Sequence, residues 1–301
     1  MTQRKYRIAL SLLCALGVAA AASAAHDSAK SAAGAPQAQA SIRTSGYAAL
    51  PDWFGQWEIV GLTPSATGGF EQSLEDAVQA TKRWGPPPYK PEMRAVFDQV
   101  GAQFKQASDA ALAGTPDPGL RHICTFGYPA VMLTSPLMFE ILPTPKETAM
   151  IFSGREMRHI YTDGRAHTAK DDLWPTFWGD SIGHWDGATL VIDTIAVSSP
   201  YGPGGPGIAV SGGDGTELRL IAILSPDAHF VERIRMTDKD HLEDRMTITD
   251  PVMFTAPWHI SRQYRRVTHM NRMVHEDCEG EDRNPIVGGR YTISPPPPAA
   301  R

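Results

Sequence analysis

The segment GDSIGHWDGATLVIDT gathers several side chains that can move protons, and it places Ser181 between Gly179 and Gly183 in the G-x-S-x-G setting that marks the nucleophile of α/β-hydrolases. A nucleophile elbow needs a strand, a sharp turn and then a helix. Here Ser181 is followed by His184, Trp185, the dipeptide Asp186-Gly187 and the β-favouring run ATLVIDT, which together predict a hairpin. The context argues against a serine hydrolase and leaves the imidazole and the carboxylates as the reactive groups. With Asp186-Gly187 as a two-residue turn, His184 lies opposite Thr189 and Asp180 opposite Asp193, so His184, Asp180 and Asp193 share one strand face. Facing carboxylates repel, and on a buried face one of them is held protonated near neutrality, as acid-base catalysis requires. Alternatively, Asp180 lies beyond the ladder in solvent.

Alternation extends this reading to other strands. In HFVERIRM, Glu232 shares a face with Ile234 and Met236; in HLEDRMTI, Asp244 lies with Leu242, Met246 and Ile248; in RMVHEDC, Glu276 lies with Val274 and Cys278. A carboxylate on an apolar face is costly unless paired, so each is expected to be bridged to an arginine or poised for function. The expected catalytic set is His184 as proton carrier, Asp193 orienting it, and Glu232 or Glu276 as the complementary acid or base. Arg158, Tyr161, Arg165 and His167 come from MRHIYTDGRAH around a tight Asp163-Gly164 turn, with Arg165 and His167 near a barrel rim. They are the expected ligand-binding group, joined by Trp185 and Trp258, whose rings suit a planar apolar ligand. No H-E-x-x-H or paired-histidine spacing and no Gly-Lys-Ser/Thr phosphate loop occurs, so neither a metal nor a cofactor is expected.

Such groups need strands to carry them. One helical pattern, KPEMRAVFDQVGAQFKQASDAALAG, repeats Met93, Val96, Phe97, Val100 and Phe104 at three- and four-residue spacing and ends near Gly114. Beyond it the period becomes two, with turns at Ser225-Pro226-Asp227 and Asp238-Lys239-Asp240. About eight to ten antiparallel strands with few helices predict a mainly β fold, a meander closing into a lipocalin-like barrel or a curved sandwich, because closure removes exposed edges. The opening WFGQWEIVG is reminiscent of the first strand of lipocalin-like barrels. The Gly-rich stretch 198–215 reads as a lid or as a long surface loop.

The whole chain sets the compartment. Its 301 residues carry a formal net charge of −5 and no block of clustered lysine or arginine, which excludes nucleic acid as a partner. Arg4, Lys5 and Arg7, an apolar stretch and Ala22-Ser23-Ala24 form a signal peptide over 1–24, and no other segment approaches the length of a membrane-spanning helix. The expectation is a periplasmic or secreted protein without an integral membrane segment once the signal is removed. A polar linker (25–46), one β-rich domain (47–291) and a disordered Pro-rich tail (292–301) follow. The two cysteines left after cleavage, Cys124 and Cys278, are expected to be bridged in an oxidising compartment, the alternative being two buried thiols.

The stretches MRHIYTDGRAH, GDSIGHWDGATLVIDT, VERIRMTDKDHLEDRMTITDP and APW, flanked by Cys124 and HEDC, resemble a widespread family of exported bacterial proteins. Its central signature is G-x-S-x-G-x-W-E-G-D-T-L-V-V-D-T, and the resemblance runs from GQW onward over most of the chain. It implies export and relatedness and brings no activity with it. Where the family has Glu-Gly-Asp at the turn, this chain has Asp186-Gly187-Ala188, which argues against a catalytic pair built on the turn itself. Two classes of function remain: an exported enzyme using acid-base chemistry of lyase, isomerase or hydrolase type on an apolar or aromatic small molecule, or a carrier binding such a molecule without chemistry.

Overall fold

The structure is a computed structural model and describes residues 47, 50–61, 74–113, 127–135, 138–153, 156–198, 206–211, 218–268, 272–273, 286–287 and 290–291. The expected signal peptide, linker and tail, the two cysteines Cys124 and Cys278, Glu276 and much of the Gly-rich stretch lie outside the described residues.

The period-two segments are strands. In chain order they are β1 (Gln56–Ile59), β2 (Phe139–Pro143), β3 (Glu147–Phe152), β4 (Met157–Tyr161), β5 (Asp180–Asp186), β6 (Thr189–Ile195), β7 (Gly207–Ser211), β8 (Leu218–Ile223), β9 (His229–Asp238), β10 (His241–Thr249), β11 (Trp258–Arg266), β12 (Ile286–Val287) and β13 (Arg290–Tyr291). Nine of them close a barrel in the order β1-β11-β10-β9-β6-β5-β4-β3-β2, consistent with a lipocalin-like barrel. The expected turns at 225–227 and 238–240 join β8 to β9 and β9 to β10. β7 and β8 form a separate hairpin, so part of the Gly-rich stretch is strand. No described helix is long and apolar enough to cross a membrane.

Two details depart from a simple meander. β4 and β5 run parallel and meet through the pair Tyr161–Ile182. A parallel pair needs a long crossover, which residues 162–179 supply. The β5–β6 turn is centred on Gly187-Ala188, one residue later than expected: Asp186 faces Thr189, His184 faces Val191 and Ile182 faces Asp193. Gly187, at φ 61°, takes the first turn position, while Asp186 stays in the ladder and receives Arg233 Nη2 at 2.8 Å. A two-step slip preserves the faces, so His184, Asp180 and Asp193 do share one side, which is the outer one.

The glycines of G-x-S-x-G serve the barrel. A Cβ on Gly179, which has φ +68°, would sit 2.5 Å from the Ile195 carbonyl oxygen. One on Gly183 would sit 2.7 Å from the Val191 carbonyl oxygen and 3.1 Å from an Ile160 methyl carbon. Both positions are therefore places where β5 is pressed against its neighbours.

Alternate residues fill the interior. Trp57, Phe139, Ile141, Met150, Phe152, Ile160, Leu190, Ile192, Phe230, Ile234 and Leu242 are all buried in one continuous core. Each such side chain stabilises the fold by about 1.5–3 kcal/mol on burial. α1 (Leu74–Thr81) leads into a 3₁₀ turn (Lys82–Trp84), and α2 (Pro91–Leu112) sets Met93, Val96, Phe97, Val100 and Phe104 against the core, as their spacing requires. Residues 127–135, which include α3 (Ala130–Leu133), plug the barrel: Tyr264 donates its hydroxyl proton to the Met132 carbonyl at 2.8 Å and Arg262 Nε donates to the Leu133 carbonyl at 2.6 Å. β1 is shorter than its neighbour, leaving the first half of β11 with a bare ladder edge; Trp84 covers it by donating Nε1–H to the Ser261 carbonyl at 3.3 Å.

Candidate functional site

Inside the barrel, strand alternation points Arg158 (β4), Ser181 (β5), Thr194 (β6), Glu232 (β9) and Asp244 (β10) toward Tyr128 of the plug, and all of these are buried. Arg158 grips Glu232 with both terminal nitrogens, Nη1 to Oε1 at 3.1 Å and Nη2 to Oε2 at 2.5 Å. Nη2 also reaches Thr194 Oγ1 at 3.0 Å and Ser181 Oγ at 3.4 Å, and the guanidinium carbon lies 4.1 Å from the Tyr128 ring centre. Tyr128 donates its hydroxyl to Glu232 Oε2 at 3.0 Å. Burial opposes the arginine's charge, but the Glu232 carboxylate outweighs that and holds the proton more firmly than usual. Asp244 is not paired with an arginine; it faces the Glu232 carboxylate and the Tyr264 hydroxyl. Burial, and then the Glu232 carboxylate facing it, push the Asp244 carboxyl well above the usual range. Ser181 thus belongs to a sealed polar network in a strand hairpin.

A second cluster lies on the outer face. Asp193 (β6) accepts from two imidazoles through one oxygen: His229 Nε2 at 2.7 Å and His167 Nε2 at 3.0 Å. Asp180 Oδ2 lies 3.5 Å from the other nitrogen of His167 and accepts the Thr168 backbone N–H at 2.7 Å. The side chains are open enough for a reactant, with 41% exposure for both Asp193 and His229 and 21% for His167. A carboxylate can only accept, so each Nε2 carries a proton and Nδ1 of His229 is the nitrogen able to take one up. A carboxylate-oriented imidazole of this kind can serve as a general base. Among the described residues, no group of three or more His, Cys, Asp or Glu donors is arranged to hold a metal ion.

Beside the cluster is a cleft of 580 Å³ over β9, β10 and β11, bounded by Val60, Ala80 and Trp84. Val231 lines it and is the ladder partner of Asp193. The cluster is therefore one strand from the cleft.

Of the residues expected from sequence, Asp193 and His167 meet here, whereas His184 is exposed on the same face opposite Val191 and Glu232 lies inside the barrel wall. They do not converge in one cavity with it. Arg158 and Trp258 are buried in the core, Trp185 is half-buried with its ring 5.1 Å from that of Trp53, and Arg165 stacks 3.9 Å over Tyr161 while pairing with Asp163. Sequence reasoning missed His229, although its alternation with Phe230 already placed it on the outer face.

The chain matches no family model and no curated protein sequence.

Proposed function

We propose that the protein is an exported enzyme that acts on a small molecule by acid-base chemistry, with its proton-transferring centre on the outer face of the barrel. The observation that carries this reading is the pair of partly exposed imidazoles held on a single Asp193 oxygen beside the cleft. Asp193 fixes the ring orientation and tautomer of His229; His229 Nδ1 takes up a proton from the reactant; His167, backed by Asp180, keeps the carboxylate in place. An apolar or aromatic reactant suits the Val60 and Trp84 walls of the cleft. The signal peptide supports a periplasmic or secreted site of action.

The test compares folded wild-type protein and Asp193→Asn after incubation with a small-molecule extract of the producing cells, read by mass spectrometry. At least one ion should be consumed by the wild type and about a hundredfold more slowly by the variant. Ions that are retained by both proteins but altered by neither would establish a carrier instead.

A further inference from the structure

The plug hangs on two donors from β11. Its helix α3 is one turn long, so the Met132 and Leu133 carbonyls have no donor within the helix, and the Tyr264 hydroxyl and Arg262 Nε supply it at 2.8 and 2.6 Å. Both donors also flank Asp244. Arg262 is its direct ladder partner between β10 and β11, Tyr264 is the partner of Leu242 two residues along, and all three side chains are buried.

Arg158 and Glu232 pair with each other, whereas Asp244 and Arg262 do not, although ladder partners have Cβ atoms only about 4.5–5.5 Å apart. Arg262 is turned to the plug instead, and its Nη2 is buried without an acceptor. Burial brings its pKa down to about 10, as happens to a cation with no carboxylate beside it, while burial and Glu232 raise that of Asp244. Facing Asp244 are Glu232 of β9, Arg158 of β4 and Tyr264 of β11, with Tyr128 of the plug on Glu232 and Arg83 of the 3₁₀ turn beyond Arg262. An ionised Asp244 needs donors, and the buried cation not already matched to an acid is Arg262.

We infer that the plug is a latch set by the Asp244 proton: on ionisation, the Asp244 carboxylate takes Arg262 and Tyr264 from the Leu133 and Met132 carbonyls, and the segment 127–135 is released from the barrel. Tyr128 leaves with it, while the Arg158–Glu232 pair stays in the wall. The latch is independent of the chemistry assigned to His229. The closed form is the one that binds the proton, so it holds at acid pH and gives way as pH rises. Its opening constant grows by up to about tenfold per pH unit above about pH 4, the ordinary Asp value.

Backbone hydrogen exchange of the whole protein between about pH 5 and about pH 9, corrected for the pH dependence of intrinsic exchange, tests this. The Met132, Leu133, Thr134 and Ser135 amides are bonded at 2.8–3.2 Å within the plug, and so short a turn does not keep those bonds off the barrel. Relative to the amides of β6 and β9, they should lose about tenfold or more of their protection over that range. Asp244→Asn cannot ionise and should abolish the loss, and Arg262→Met, which removes the donor to Leu133, should lower plug protection about tenfold already at the acid end. Plug amides of the wild type that stay protected throughout, or that weaken only in step with β6 and β9, would overturn the latch without any variant. An equal loss in folded Asp244→Asn, or full plug protection in folded Arg262→Met, would overturn it too.

Discussion

Asp244 and Glu232 face one another inside the barrel, and with Arg158 paired to Glu232, burial and the Glu232 charge raise the pKa of Asp244. A carboxyl whose pKa is raised by folding binds its proton more tightly in the native state. Stability therefore falls as pH rises from about 4, the ordinary Asp value, toward the raised native value, by about 1.4 kcal/mol per pH unit. Asp244→Asn removes that dependence while keeping shape and hydrogen-bonding capacity. Its melting temperature, followed by circular dichroism, should exceed that of the wild type at pH 8, with the gap closing toward pH 4. A gap that widens on acidification would show that Asp244 is ionised in the native state. The Arg158–Glu232 pair allows a second check. Arg158→Met strands a buried carboxylate and should cost about 3–5 kcal/mol in urea unfolding, whereas Arg158→Met with Glu232→Leu should recover most of the loss. Similar losses in the single and double variants would mean that packing, not charge, dominates there.

At the scale of the element, β5 is constrained by its neighbours more than by its own propensity. Gly179→Ala combines a left-handed backbone with a clash against the Ile195 carbonyl and should cost about 2–4 kcal/mol, while Gly187→Ala, whose Cβ would meet nothing within 4 Å, should cost only about 1–2 kcal/mol for its positive φ. Equal losses, measured by thermal unfolding, would show that the close approach of β5 and β6 does not matter. The same strands show what the sequence makes readable. Periodicity put Glu232 and Asp244 on the apolar faces of their strands and, at three- and four-residue spacing, predicted the helix that appears at Pro91–Leu112, because side-chain direction along one element depends only on its period. Strand pairing is not local. β6 pairs with β9 across the intervening β7–β8 hairpin, and that long-range contact is what brings His229 to Asp193. The outer position of His184 follows from which face closes on the core, a fact that the hairpin by itself does not contain. The polar neighbours of Arg158 in its segment suggest a ligand-binding residue, yet a strand turns it into the barrel interior.

For the molecule as a whole, the barrel wall separates two polar systems with different work to do. The inner one is sealed and ties the plug at Tyr128 to four strands; the outer one is open and lies one strand from the cleft. The proposed chemistry on the outer face would leave the packed interior free to provide rigidity, and His229 sits on a strand held from both sides by β6 and β10. The two systems can be told apart with one kinetic comparison, made on an ion found to be consumed by the wild type. Turnover per folded molecule should fall about a hundredfold in His229→Gln with the melting temperature nearly unchanged, while Ser181→Ala, altered inside the barrel, keeps the wild-type rate. Full turnover in folded His229→Gln, or its loss in folded Ser181→Ala, would contradict a proton-transfer centre on the outer face.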